Sequence, residues 1–296
     1  MSRPGNGARI ADRVQAQTRL VRKRSALTFG RLTASVRPLP DFLILGAQRS
    51  GTTSLARYLA EHPAVRTMAN IKGAHYFDKN HDKGIEWYRG HFPSTAYRSW
   101  IKRRTGFDLV TGEGSPYYLL HPLVPRRVAE VMPSAKLIAM LRDPIERAYS
   151  GYQHESGRGF ETLSFEEAIE AEPGRLEGER ERMIADPTYH SFDFQHHSYL
   201  TRGLYLDQIL QWRELFPPEQ MLIIGAEEFF SEPARVFAEV LDFLELPQWS
   251  LDGYEQHNAR SYAPMSPEMR ARLENFFREP NRRLFDDLGR PFAWRS

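Results

Sequence analysis

Between Asp41 and Pro63 the chain reads DFLILGAQRSGTTSLARYLAEHP: an apolar run, a glycine-bracketed turn and an amphipathic helical pattern in immediate succession. Phe42 to Leu45 has no polar interruption, which suits a strand buried on both faces of a parallel sheet. Gly46 and Gly51 bracket the turn as G-x-x-x-x-G, and Leu55, Tyr58 and Leu59 then recur at helical spacing. A chain turning this sharply from strand to helix aims a row of backbone N–H groups and the positive end of a helix above the strand. Such a cradle holds an anion, most naturally a phosphate. The lysine that follows the second glycine in nucleoside-triphosphate loops is absent, and Thr52 stands there. The cation is instead Arg49, placed to reach the outermost group or bridging oxygen of a bound 5′-phosphate.

Alternation of strand and helix patterns continues along the chain. Asp108 to Ser115 (DLVTGEGS), Leu137 to Leu141 and MLIIGAEEF from Met221 read as further strands. Leu123 to Met132, RGLYLDQILQWRELFP from Arg202, SEPARVFAEVLDFL from Ser231 and the stretch Glu268 to Leu288 read as helices. The pattern predicts an α/β fold, a doubly wound parallel sheet with flanking helices. The 296 residues, 41% of them hydrophobic, suffice for one large core. The expected division is a basic extension over residues 1–39, where nine Arg and Lys face Asp12 alone, and one domain over residues 40–296. That extension carries a loose helical stripe, and a solvated arm, an organelle transit peptide, packing on the domain and a weak peripheral contact with an acidic surface all stay open. A net charge of +2 gives no reason to expect nucleic acid. The sequence has no cysteine, which excludes disulfides, thiolate metal sites and cysteine nucleophiles. No apolar run approaches the roughly 20 residues that span a bilayer, and the start carries no signal-like apolar core, so a cytoplasmic protein without a transmembrane segment is expected.

Three further stretches carry chemistry. In IKGAHYFDKNHD, His75 and Asp78 flank two aromatic residues; the spacing is not that of metal ligands, and proton transfer, with Asp78 orienting the His75 imidazole, is the better use. Glu113 ends its strand at the crevice where open parallel sheets bind ligands, and is the other candidate base. Arg142 leaves the strand Leu137–Leu141, Asp143 and Pro144 start a helix, and Ser150 follows about two turns in. A guanidinium fork and a hydroxyl suit a phosphate monoester. Arg147 is expected to pair with Asp143 or Glu146. The charged stretch Glu161 to Asp186 reads as a helical lid over the site, and His190, His196 and His197 as possible acceptor contacts.

GAQRSGTT after a buried strand resembles the 5′-phosphosulfate loop of sulfotransferases that use 3′-phosphoadenosine 5′-phosphosulfate (PAPS), with Arg49 where that family usually has Lys. Arg-Asp-Pro-x-x-Arg-x-x-Ser resembles its 3′-phosphate motif, carried over as Arg142 and Ser150. The His75–Asp78 stretch resembles Glu-x-His-aromatic-aromatic-Asp of the glycosaminoglycan (heparan sulfate) type, in a bacterial member, with Gly73 where that type has the Glu that deprotonates the acceptor. EGSPYY resembles Glu-x-Ser/Thr-Pro-x-Tyr, with Gly114 where Lys is usual, and NARSYAPMSP resembles the late loop over the donor, with Arg260 as the counterpart of its cation.

The resemblance runs from about Pro40 to Trp294. It implies a P-loop-like sulfotransferase fold and an enzyme moving a sulfonate from PAPS to a hydroxyl, or secondarily an amine, of a carbohydrate, glycolipid or small-molecule acceptor. Adenosine 3′,5′-bisphosphate (PAP) leaves, and no metal is needed. The implied donor-binding set is Gly46, Gln48, Arg49, Ser50, Gly51, Thr52, Thr53, Arg142, Ser150 and Arg260. Arg49 would steady charge on the leaving oxygen, Lys72 is a second candidate for steadying charge on the sulfonate, and the base stays open between His75, with Asp78, and Glu113. Two other readings stand beside this one. Gly73 and Gly114 suit a non-catalytic donor-binding protein, and the fold also suits an atypical nucleotide kinase, which should carry a loop Lys and an acid for Mg²⁺.

Overall fold

The computed structural model describes residues 27–68, 73–255 and 263–294. Five strands, β1 (Phe42–Gly46), β2 (Val65–Thr67), β3 (Val110–Gly114), β4 (Lys136–Leu141) and β5 (Met221–Gly225), form a parallel sheet in the order β2-β3-β1-β4-β5. The chain leaves β1 for β2 and β3 on one side and later adds β4 and β5 on the other. The carboxyl ends of β1, β3 and β4 therefore border the crevice at which such sheets take ligands. All five residues of β1 are buried, as an uninterrupted apolar run between two parallel neighbours requires.

One face of the sheet is closed by the helices Thr52–Glu61 and Pro233–Phe243: Leu55, Tyr58 and Leu59 from the first, and Phe237, Val240 and Leu241 from the second, pack with Phe42, Ile138 and Ile224. A second cluster joins the helices Pro144–Ser156, Phe165–Leu176 and Pro267–Leu288 through Ile145, Ala148, Phe165, Ile169, Leu273 and Phe277. Two elements differ in detail from the sequence pattern. The strand MLIIG stops at Gly225 because Ala226–Ser231 is a separate helix, and the stretch from Arg202 opens with a 3₁₀ turn, Thr201–Gly203, before the helix Tyr205–Arg213.

The described residues divide into two compact units, those of 27–39 with 83–108, and those of 40–82 with 109–294. In the smaller, the described end of the basic arm packs on the helices Ile85–Arg89 and Thr95–Thr105. Arg37 donates to the Phe92 carbonyl, Arg89 to the Arg37 carbonyl at 3.2 Å, and Thr95 Oγ1 to the Val36 carbonyl at 3.3 Å.

The expected lid is fastened instead. The helix Phe165–Leu176 starts in a capping box at Ser164 and Glu167, and buries Phe165, Ala168 and Ile169 in the second cluster. Ahead of it, buried Glu161 accepts from Arg175 at 2.6 Å, Tyr199 Oη at 3.0 Å and the Leu163 N–H at 3.0 Å. Burial alone would push its carboxyl up, but these donors outweigh burial and hold it at about 2, below its ordinary 4.5. A depressed carboxylate stabilises the fold above the unfolded value and loses that contribution as pH falls through the folded one. The stability contributed by Glu161 is therefore complete above about pH 4.5 and lost toward pH 2. Glu161→Gln is expected to lower the urea midpoint at pH 7 and to narrow the difference from wild type at pH 3.

Candidate active site

The turn after β1 has the conformation its glycines allow. Gly46 has φ +149°, and a Cβ there would meet the Pro116 carbonyl oxygen at 2.7 Å; Gly51 has φ +90° and caps the helix beginning at Thr52. Arg49 between them is also left-handed, at φ 71°. The helix has no side-chain cap and no acid in its first turn, so the positive end of its dipole faces the turn uncompensated. Ser50 is fully buried and, among the described residues, its Oγ has no hydrogen-bond partner. A buried orphan hydroxyl beside a helix N-terminus is a ready contact for an anionic oxygen.

The two anion motifs meet directly. Arg49 Nε donates to Ser150 Oγ at 3.0 Å, and Arg142 Nη1 donates to the Arg49 carbonyl at 3.1 Å. Tyr205 Oη in turn donates to the Arg142 carbonyl at 2.8 Å. Two guanidinium groups and a buried hydroxyl thus converge beside the helix N-terminus, and the group they can hold is a multiply charged anion.

Gln48 Nε2 donates to Glu155 Oε1 at 3.2 Å, and the other oxygen of Glu155 is held by His196 Nδ1 at 3.0 Å and Arg158 at 3.2 Å. Burial raises the Glu155 carboxyl, but the His196 hydrogen bond and the neighbouring positive charges prevail and keep it below its ordinary value. His196 props the loop through Glu155, His197 is held between Asp193 (2.6 Å) and the Phe160 carbonyl (3.0 Å), and His190 is exposed. Arg147 makes neither expected ion pair. Asp143 caps its own helix by accepting from the Ile145 N–H, and Glu146 binds Arg270 at 2.6 Å. Arg147 is instead buried and donates to the Tyr199 carbonyl, with burial pulling it down to about 10. Lys72 and Arg260 lie outside the described residues.

The base candidates sit at the end of β3. Glu113 is buried and accepts from Tyr118 Oη at 2.7 Å, Ser115 Oγ at 3.3 Å and the Ala74 N–H. The carboxylate oxygens of Glu113 are thus engaged by donors of its own segment and of the His75 segment. Tyr118, which sequence reasoning passed over, also accepts from the Tyr76 N–H at 2.9 Å; its hydroxyl is held well above its ordinary pKa by burial and by the Glu113 charge. His75 differs from Glu113. Its Nδ1 lies 2.7 Å from Oδ2 of fully buried Asp78, while its side chain is 30% exposed. The carboxylate fixes the proton on Nδ1, so Nε2 is the nitrogen able to accept another. The turn carrying Glu113 and Ser115 is tied to β1 by Ser115 N–H to the Ile44 carbonyl (3.2 Å) and Leu119 N–H to the Leu45 carbonyl (2.9 Å), which sets the His75 cluster on the same sheet edge as the anion loop. Among the described residues no group of three or more His, Asp or Glu is placed to hold a metal ion.

Residues 39–280 match the family model described as the sulfotransferase domain. The chain belongs to the sulfotransferase family. This sulfotransferase is 28% identical, over 87% of its length and 67% of the other's, to the membrane-associated sulfotransferase kil1 of Dictyostelium discoideum. It is 26% identical, over 87% of its length, to the bifunctional heparan sulfate N-deacetylase/N-sulfotransferase 1 of Caenorhabditis elegans, of which it spans only 30%. The solved sulfotransferase from Alicyclobacillus acidocaldarius superposes with a TM-score of 0.64 at 30% identity, over 88% of this chain and 100% of that one.

Gly73 has a packing reason. Its N–H donates to the Gly114 carbonyl at 3.0 Å, and a Cβ would lie 2.1 Å from Ser115 Oγ and 2.4 Å from the Gly114 oxygen. Gly73→Ala is expected to lower unfolding stability by about 1–3 kcal/mol through this overlap. Urea denaturation of the variant measures it, and a stability equal to wild type contradicts the close approach.

Proposed function

We propose that this sulfotransferase moves the sulfonate group of PAPS to a hydroxyl of a carbohydrate, glycolipid or small-molecule acceptor, releasing PAP, and that residues 40–296 are its catalytic domain. The observation that carries the reading is the meeting of Arg49, Ser150 and Arg142, because a donor with phosphates at both 5′ and 3′ positions needs two anion sites within one nucleotide's reach. The residues fit such a donor: the Gly46–Thr53 turn with orphaned Ser50 Oγ takes the 5′ end, and Arg142 with Ser150 takes the 3′-phosphate. When bound, PAPS supplies an activated sulfonate that passes in line to the acceptor oxygen. The chain's own part is electrostatic and positional. Arg49 and the helix N-terminus stabilise charge on the leaving phosphate, and Gln48, held by Glu155, fixes the loop. His75 Nε2 takes the acceptor's proton, and Asp78 holds the ring and the imidazolium that results. Saturation of Glu113 by its donors favours His75 over it. The heparan sulfate named for the C. elegans relative supports a sugar acceptor, and a cysteine-free sequence supports a cytoplasmic setting.

One observation favours a second reading, a donor-binding protein without turnover: Gly73 and Gly114 carry no functional group. Thermal unfolding with PAP, with ADP and with ATP plus Mg²⁺ is the first test. PAP alone is expected to raise Tm, by linkage, and Arg142→Ala to remove the shift. Stabilisation by ATP with Mg²⁺ instead replaces the proposal with phosphoryl transfer. In a second measurement, PAP release from PAPS is followed with a panel of polysaccharide and phenolic acceptors. His75→Ala is expected to lose about 100-fold or more of turnover while keeping the PAP-induced Tm shift. Turnover within a few fold of wild type removes His75 from the role, and PAP binding without turnover in the unaltered chain selects the second reading.

A further inference from the structure

Charge is distributed very unevenly between the two units. Residues 40–82 and 109–296 hold 25 Lys and Arg against 35 Asp and Glu. The described part of the smaller unit, residues 27–39 and 83–108, holds eight Lys and Arg against Glu86 and Asp108. The near-neutral total conceals one basic unit and one acidic unit, and a chain-wide net charge says nothing about either.

The same small unit is rich in exposed apolar side chains. Six of the fourteen exposed large hydrophobic residues among the described positions fall in it: Phe29, Leu32, Val36, Tyr97, Trp100 and Phe107. They form two short stripes. Phe29, Leu32 and Val36 succeed one another at intervals of three and four, with Leu32 79% exposed. Tyr97 and Trp100 lie one turn apart on the helix Thr95–Thr105 with their rings 5.7 Å apart, and Arg104 covers the Trp100 ring at 5.4 Å. The two stripes belong to one folded piece, because Thr95 Oγ1 and Arg98 bind the carbonyls of Val36 and Leu39. The helix Thr95–Thr105 contains no acid and ends on Lys102, Arg103 and Arg104.

We propose that this unit, residues 27–39 with 83–108, docks the protein peripherally on an anionic lipid bilayer. Basic side chains attract the acidic headgroups, and the flanking apolar side chains enter the boundary between headgroups and acyl chains. Tyr and Trp suit that boundary by carrying an apolar body with a polar edge. Exposed Leu32 and Val36 choose lipid over a soluble polyanion, since neither has a group to hydrogen-bond or stack on a glycan or nucleotide. The helices of the unit are short, and among the described residues no helix is long and apolar enough to cross a membrane. The contact lies on the surface.

The test is co-sedimentation of the full chain with vesicles of phosphatidylcholine alone and of phosphatidylcholine with 30 mol% phosphatidylserine, at low and at 0.5 M salt. Binding is expected only to the serine-containing vesicles and is expected to fall with salt. Arg103→Glu with Arg104→Glu should weaken it by about ten-fold or more, from about five-fold per basic residue. Leu32→Ser with Trp100→Ala should weaken it to a similar degree without changing the Tm. All four positions are exposed, so equal melting temperatures show that the fold is kept. Equal binding to both vesicle types overturns the proposal. So does undiminished binding by both double variants, which assigns the contact to residues 1–26, and so does heparin or DNA binding that competes fully with vesicles and is indifferent to Leu32 and Trp100.

Discussion

One hydrogen bond, Arg49 Nε to Ser150 Oγ, joins the turn after β1 to the helix after β4 across 101 residues of sequence. It is possible only because β1 and β4 are adjacent in the sheet and both release the chain at the same edge. Arg142 repeats the tie from the other side by donating to the Arg49 carbonyl. Arg49 is held at its side chain and its backbone by the motif it faces, in a left-handed conformation that a non-glycine residue adopts only at some cost. The cation is thereby positioned before any ligand arrives, and preorganised charge of this kind costs no rearrangement during reaction.

The buried polar network extends this arrangement outward. Gln48 rests on Glu155, Glu155 on His196 and Arg158, and Arg142 on Tyr205. At the β3 end, Glu113 gathers Tyr118, Ser115 and the Ala74 N–H, and Ser115 Oγ also accepts from the His75 N–H at 3.1 Å. Glu113 thus emerges as an organiser of the segment that carries His75. In a low-dielectric interior each satisfied member of such a network raises the cost of displacing the others.

Local pattern made the centre of the molecule legible. The turn from Gly46 to Gly51 lies between an apolar run and a helical period, and every element of that signal is within 23 residues. Asp143 before Pro144 located the next helix for the same reason. What escaped depends on partners distant in sequence. β2 has only three residues and exists through its pairing with β3. Arg147 has two acids close by in sequence, but Asp143 is occupied by its own helix and Glu146 is taken by Arg270, 124 residues away. Glu161 to Asp186 has the charge of a solvated lid, and its thin stripe of Phe165 and Ile169 gave no measure of how completely two other helices would cover it. His196 and His197 looked like contacts because their carboxylates, Glu155 and Asp193, were not visible as neighbours.

Gly73 has a consequence for the mobility of its neighbours as well. Its backbone lies so close to the Gly114 carbonyl and Ser115 hydroxyl that any side chain there must displace the neighbouring turn. Because Ser115 Oγ also accepts from the His75 N–H, the segment carrying His75 and the end of β3 form one fitted pair, and a shift in either is transmitted to the other.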